Sequence, residues 1–178
     1  MAKAEILKPF IRSWEGNFSN VSGDRGKETM WGVTIGTYRQ VFGANKSVSD
    51  LKNMTEEQWD TIFRKYYWDK WKADTIRSQS IANLLVDWLW ASGSYGVKIP
   101  QRVLGVSIDG IVGTKTIAAI NGYKNERELF TKLWKEREAF FTRIAVGSQK
   151  KFLRGWLNRL NGIKYGKLVC NGGKVIDY

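Results

Sequence analysis

Three carboxylates fall within residues 14–34, Glu15, Asp24 and Glu28, with the hydroxyl of Thr29 next to the last. Glu15 follows Trp14 at the edge of an apolar stripe and precedes Gly16. A carboxyl half removed from water has its neutral form favoured, because burial disfavours charge. An acid held protonated near neutral pH can act as a general acid. Asp24 lies nine residues further on, past Asn17, Ser19, Asn20, Ser22 and Gly23. That turn-rich link can fold back and bring the second carboxyl near the first. Two carboxylates in unlike environments are the minimal equipment for breaking a glycosidic bond. The same residues also suit plain structural duty, Glu15 ending a helix and Asp24 capping a turn, since acidic side chains are common in turns.

Composition removes several other chemistries. The chain has no His, which excludes Ser-His-Asp and Cys-His catalysis, His-ligated zinc and the His-x-Glu deaminase site. Its one cysteine, Cys170, has no internal disulfide partner and suits a small buried residue. Acid–base work therefore falls to Asp, Glu, Tyr or Lys, and no cofactor or metal is expected. The net charge of +12 favours polyanions. Nucleic acid is one such partner and the carboxylates and phosphates of a bacterial wall are another. The basic residues are scattered, with no helix-turn-helix spacing or zinc motif, so no nucleic-acid partner is expected. No stretch approaches a membrane span, and the first residues carry no uninterrupted apolar run of the signal-peptide kind. The oligomeric state is not legible.

The elements that must position Glu15 read as mostly helical. Ile6, Leu7, Phe10, Ile11 and Trp14 share one helical face over 3–14, with Pro9 forcing a late start or a bend. Thr34 can cap a helix to Phe42, stopped by Gly43. Thr55-Glu56-Glu57-Gln58 has capping-box form and opens a helix carrying Trp59, Ile62, Phe63, Tyr66 and Tyr67. Trp68 and Trp71 follow, suited either to a cleft or to closing the core. Residues 80–92 are apolar nearly all round, which marks a central helix. Asp87 is its one charge, either paired structurally or facing a polar cleft. Further helices are expected over 97–104, 114–120, 126–146 and 150–160, and a hairpin around Asn171-Gly172-Gly173. At 178 residues the sum is one mainly α domain with little strand.

The pattern resembles a known family. Glu15-Gly16-x-Phe18 followed by Asp24-x-Gly26-x-x-Thr29-x-Trp31-Gly32-Val33-Thr34 is similar to the signature of glycoside hydrolase family 108, the N-acetylmuramidases of phage-endolysin type. Tyr67-Trp68-Asp69, Asp87, the run from Gln101 to Thr116 and Arg154-Gly155-Trp156-Leu157-Asn158-Arg159 resemble later family motifs, so the match covers nearly the whole chain in order. Asn17 stands where the family usually has a second glycine, and Asn tolerates a left-handed backbone.

The resemblance implies a lysozyme-like α+β fold, mainly helical and two-lobed with a cleft. Residues 1–93 would form the catalytic lobe and 94–178 a helical peptidoglycan-binding-like lobe, packed as one unit. It implies cleavage of the β-1,4 bond after N-acetylmuramic acid in peptidoglycan glycan strands. Glu15 would be the catalytic acid, with Asp24 (or Glu28) and Thr29 as helpers. Trp31, Tyr67, Trp68 and Asp87 are candidates for substrate contact. Synthesis in the bacterial cytoplasm, action on the wall after release by another agent, and no stable membrane insertion complete the expectation. A lytic transglycosylase using the same Glu, or a non-catalytic cationic module that binds wall or nucleic acid, would carry much of the same sequence.

Overall fold

The computed structural model describes residues 1–20 and 28–178. Helix α1 (Ala4–Trp14) buries Ala4, Leu7, Phe10 and Ile11, while Ile6 and Trp14 of the stripe read from the sequence stay half-buried. It starts well before Pro9 and runs through it. A small antiparallel sheet follows: β1 (Ser19–Asn20), β2 (Glu28–Met30) and β3 (Val33–Thr34), in that order, with Thr29 opposite both Ser19 and Thr34. This stretch reads as a loop in the sequence, because strands of two or three residues carry no measurable alternation.

The next helices are defined by their caps. The Thr34 hydroxyl accepts from the N–H of Thr37 at the start of α2 (Ile35–Phe42). Ser47 and Asp50 form a capping box on α3 (Val48–Lys52), and Thr55 and Gln58 form another on α4 (Glu56–Phe63). Helix α4 does not simply end. It widens into a π-helical turn, Arg64–Trp68, and a 3-10 turn follows at Ala73–Thr75. Lys72 between them takes a left-handed backbone, φ +48°.

Helix α5 (Gln79–Ser92) is the axis of the fold, with every residue from 80 to 89 buried. Ser78 caps its start and Gly93, at φ +57°, turns the chain at its end. Helix α6 (Tyr95–Leu104) then packs directly back on α5. Helices α7 (Thr114–Asn121), α8 (Glu126–Ile144) and α9 (Leu153–Asn161) complete the helical part. A 3-10 turn, Gly147–Phe152, occupies the start of what the sequence suggests is one last helix. The tail forms a second antiparallel sheet, β4 (Ile163–Lys164), β5 (Lys167–Val169) and β6 (Val175–Asp177). Its β5–β6 turn holds the expected Asn171-Gly172-Gly173, and Cys170 is buried beside it. The fold is the mainly α, lysozyme-like one expected. Among the described residues no helix is long and apolar enough to cross a membrane.

One glycine sets how closely the centre can pack. A Cβ built on Gly96 would lie 2.4 Å from the backbone nitrogen of Leu89 and 2.5 Å from the carbonyl carbon of Trp88. Both are backbone atoms and cannot swing aside, so Gly96→Ala must push α6 off α5. Overpacking of this kind costs about 1–3 kcal/mol. The expected outcome is a melting temperature lower by roughly 2–10 °C, read by calorimetry; an unchanged value would mean that the two helices are not held at this separation.

Candidate active site

Glu15 terminates α1 with an extended backbone, its N–H still bonded to the carbonyls of Ile11 and Arg12. The helix end aims its side chain at the C-terminal end of α5. There, Glu15 Oε1 accepts two hydrogen bonds, from Trp90 Nε1 at 2.8 Å and from Arg159 Nη1 at 2.7 Å. Oε2 accepts none from the described residues. The side chain is 19% exposed, enough to be reached from solvent. An apolar wall beside an indole was the environment expected for this acid. The structure instead gives it an indole N–H and a guanidinium, both donating.

Arg159 is held from behind. Its Nε and Nη2 donate to Asp87 Oδ1 at 3.1 and 2.7 Å, and Asp87 Oδ2 accepts from Arg137 Nη2 at 2.8 Å. Asp87 and Arg137 are wholly buried. Two carboxylates and two guanidiniums thus alternate across α1, α5, α8 and α9, with no net charge. Burial alone would push the Asp87 carboxyl up; the Arg159 and Arg137 charges outweigh it and hold the group below the ordinary carboxylate range. Burial would likewise pull Arg159 down, yet its two carboxylate neighbours raise it. Arg137 has Asp87 alone and faces another cation, so burial prevails there and lowers it.

The third side of Glu15 is a tight turn. Trp31 and Gly32 join β2 to β3 as a two-residue hairpin loop, both with left-handed backbone, φ +49° and +78°. Such turns match the twist of antiparallel strands and favour glycine. Trp31 is not glycine, and a left-handed backbone at such a residue stores about 1–3 kcal/mol of strain. Two contacts hold it: the Trp59 indole N–H donates to the Trp31 carbonyl at 3.2 Å, and the Arg12 guanidinium lies 3.7 Å over the Trp31 ring. Arg12 is itself fixed by two bonds to the Glu56 carboxylate. A Cβ on Gly32 would sit 2.7 Å from the Glu15 carboxyl and 2.9 Å from the Trp90 ring.

The other candidate residues are distributed unevenly. Thr29 lies half-buried in the middle of β2, and Glu28 stands next to it opposite Asn20. Asp24 lies outside the described residues. Tyr67 packs its ring 4.5 Å from that of Trp90; burial raises its hydroxyl, and the Glu15 charge adds to this. Trp68 is fully buried, with its indole N–H bonded to Asp74 at 2.7 Å, so it closes the core and offers no platform. Asp87 has the structural pairing, since its carboxylate meets two arginines instead of a cleft. Among the described residues no cluster of three His, Cys, Asp or Glu could hold a metal.

Three residues at the site carry no role in the sequence reading: Arg159, Trp90 and Gly32. One signal for the network was present. Arg137 occupies an apolar-stripe position on α8, and a buried cation there requires a buried anion, for which Asp87 was the one internal candidate.

Comparison with known proteins fits this geometry. The model of the glycosyl hydrolase 108 family matches residues 9–93, and that of a "Predicted Peptidoglycan domain" matches residues 95–161. Residues 9–93 are thus a glycosyl hydrolase 108 region, and a peptidoglycan region follows it over residues 95–161. The chain is a peptidoglycan-degrading glycoside hydrolase. It is similar to the solved structure of SagA from Brucella abortus, with 28% identity over 91% of this chain and 92% of that one and a TM-score of 0.78. No curated protein matches in sequence. The first matched region supplies Glu15 and Asp87, and the second supplies Arg137 and Arg159, so the charge network joins the two.

Two outcomes follow for the hydrolase. Gly32→Ala places a methyl group against a carboxyl that is already pinned on Oε1. A misplacement of about 1 Å at a reacting group can cost roughly 100-fold in rate. Turnover on purified walls should fall by about that factor while the far-ultraviolet dichroism stays unchanged; full activity would show that the turn does not set the position of Glu15. The second outcome concerns pH. A carboxyl whose folded value lies below its unfolded one stabilises the protein above the unfolded value, near 3.9, and this is lost as pH falls through the folded value. Wild-type stability to urea should therefore drop steeply below about pH 4. In Asp87→Asn, less stable at neutral pH by about 3–5 kcal/mol, that acid drop should be shallower. Parallel stability–pH curves for the two proteins would refute the role of Asp87.

Proposed function

We propose that the enzyme is an N-acetylmuramidase that cleaves the β-1,4 bond between N-acetylmuramic acid and N-acetylglucosamine, with Glu15 as its general acid. The observation that carries this reading is the asymmetry of the Glu15 carboxyl. Trp90 and Arg159 fix Oε1, while Oε2 accepts nothing from the described residues and lies against the Trp31–Gly32 turn. An acid held by one oxygen and free at the other is suited to protonating a leaving oxygen in a fixed geometry. In the free enzyme the carboxyl sits in an ion pair with Arg159. In the reaction a proton moves from Oε2 to the glycosidic oxygen as the C–O bond breaks. Asp24 is the preferred group to stabilise the positive charge growing on the sugar or to orient the attacking water, with Glu28 as its competitor and Thr29 as a hydrogen-bonding helper. Trp31 and Tyr67 supply flat faces for sugar rings.

Removing a general acid usually costs 10²–10⁴-fold. Glu15→Gln keeps the size and the Oε1 contact, so it should lower the release of reducing ends from walls by about that factor while the protein still pellets with walls. Clearing at the wild-type rate would overturn the assignment. In the same assay Asp24→Asn is expected to be more damaging than Glu28→Gln. Mass spectrometry of the products tests the chemistry: reducing N-acetylmuramic acid ends are expected, and 1,6-anhydro ends would mean a transglycosylase instead.

A further inference from the structure

A recess opens beside the Trp90 ring. It is a groove of ≈ 600 Å³ lined by Tyr67 and Trp90, by Asp69, Lys70 and Lys72, and by Ile111 and Val112. We infer that this groove holds the peptide stem borne by the muramic acid residue, with Lys70 and Lys72 contacting the carboxylates of that stem. The inference rests on the muramidase reading for the identity of the substrate.

Four observations support it. The groove begins where the acid is, because one indole serves both: the Trp90 N–H holds Glu15 and its ring face meets Tyr67. A sugar stacked beside Glu15 would therefore direct its substituent along this recess. Next, the wall is built from unusual backbone. The π-helical turn Arg64–Trp68 lets Tyr66 and Tyr67, neighbours in sequence, both line the groove, and left-handed Lys72 follows four residues later. Both irregularities concentrate at functional sites, since regular backbone would be more stable. The Lys72 conformation is fixed by its carbonyl, which accepts from both the N–H and the hydroxyl of Thr75.

The third observation is charge. Lys70 and Lys72 are exposed and, among the described residues, in no ion pair; with Asp69 as the one acid in the lining they leave the groove with an excess of positive charge. The β-1,4-linked N-acetylated glycan carries no charge in its backbone once the lactyl group is joined to peptide. A cationic wall therefore has nothing to recognise on the sugars, and the carboxylates of this substrate lie on the stem. The last observation is the apolar part of the lining. Ile111 is 70% exposed, an apolar lip that suits the alanine methyl groups alternating with the acidic residues of such a stem. A volume of this size lies in the ordinary range of a ligand cleft. The residues from 94 onward in this groove lie in or beside the region matching the peptidoglycan domain, and the others in the hydrolase region.

The test measures binding, so it does not depend on turnover. Two defined ligands are titrated by calorimetry against Glu15→Gln protein: a muropeptide tetrasaccharide carrying its peptide stems, and the same tetrasaccharide with the stems removed by an amidase. The double variant Lys70→Gln/Lys72→Asn, made in that background, should bind the stem-bearing ligand about ten-fold more weakly, the size of two partly exposed ion pairs. Asn at 72 tolerates the left-handed backbone. Binding of the stem-free ligand should not change. A matched loss of charge at Lys150→Gln/Lys151→Gln, in the 3-10 turn before α9, should leave both affinities unchanged. Equal loss for the two ligands, no loss, or the same loss from the control pair would each overturn the inference. Stem-dependent binding together with a wild-type enzyme that releases no reducing ends from walls would keep this groove and discard the muramidase.

Discussion

A single negative charge lies at the centre of an otherwise apolar helix, and much of the molecule is arranged to tolerate it. Asp87 cannot be left alone on α5, because an unpaired buried ion is costly enough to unfold a domain of ordinary stability. Arg137 meets it from α8 and Arg159 from α9. One further carboxylate then balances the second guanidinium, and that carboxylate is Glu15. The site is therefore not a decoration on the surface of the core. It is the exposed end of a charge alternation that begins in the core's most buried element, and the rigidity of Glu15 Oε1 derives from how firmly Asp87 is held.

This arrangement explains why α5 must be both greasy and interrupted. Its apolar residues from Ile81 to Leu89 bind α6, α8 and the π-helical turn together, while Trp90 emerges near its end with one edge donating to Glu15 and one face open to Tyr67. Trp59 and Phe63 stack beneath that indole with their rings 5.3 Å apart and parallel to within 3°. Trp59 also fixes the Trp31 carbonyl, so one aromatic stack supports both the indole at the acid and the turn that confines it.

The sequence made some layers of this legible and hid others, for physical reasons. Helices announced by periodic apolar stripes and by Thr55 or Thr34 at their starts appear where the residues indicate, because capping and burial are local rules. Glu15 stood out for the same reason, as an acid at the end of a stripe. Its partners did not. Arg159 is 144 residues away in sequence, and which cation faces which anion is decided by the packing of four helices, not by spacing. The π-helical turn was equally hidden: Trp68 and Tyr67 look alike in sequence, yet the widened turn sends one into the core and leaves the other on the groove. Family resemblance preserved Trp31-Gly32 as a motif, but only the closeness of Gly32 to a carboxyl explains why no side chain belongs there.

The shared charge network has a consequence for how such proteins can be recombined. A wall-binding module is often imagined as a detachable cassette, exchangeable between hydrolases to retarget them. Here that exchange would carry away both guanidiniums and leave two uncompensated anions behind, one of them in the middle of the recipient's core. A functional chimera would have to splice elsewhere, or take Asp87, Arg137 and Arg159 as one inherited unit. The two matched regions are thus tied together by electroneutrality, and neither can be changed at these positions without the other.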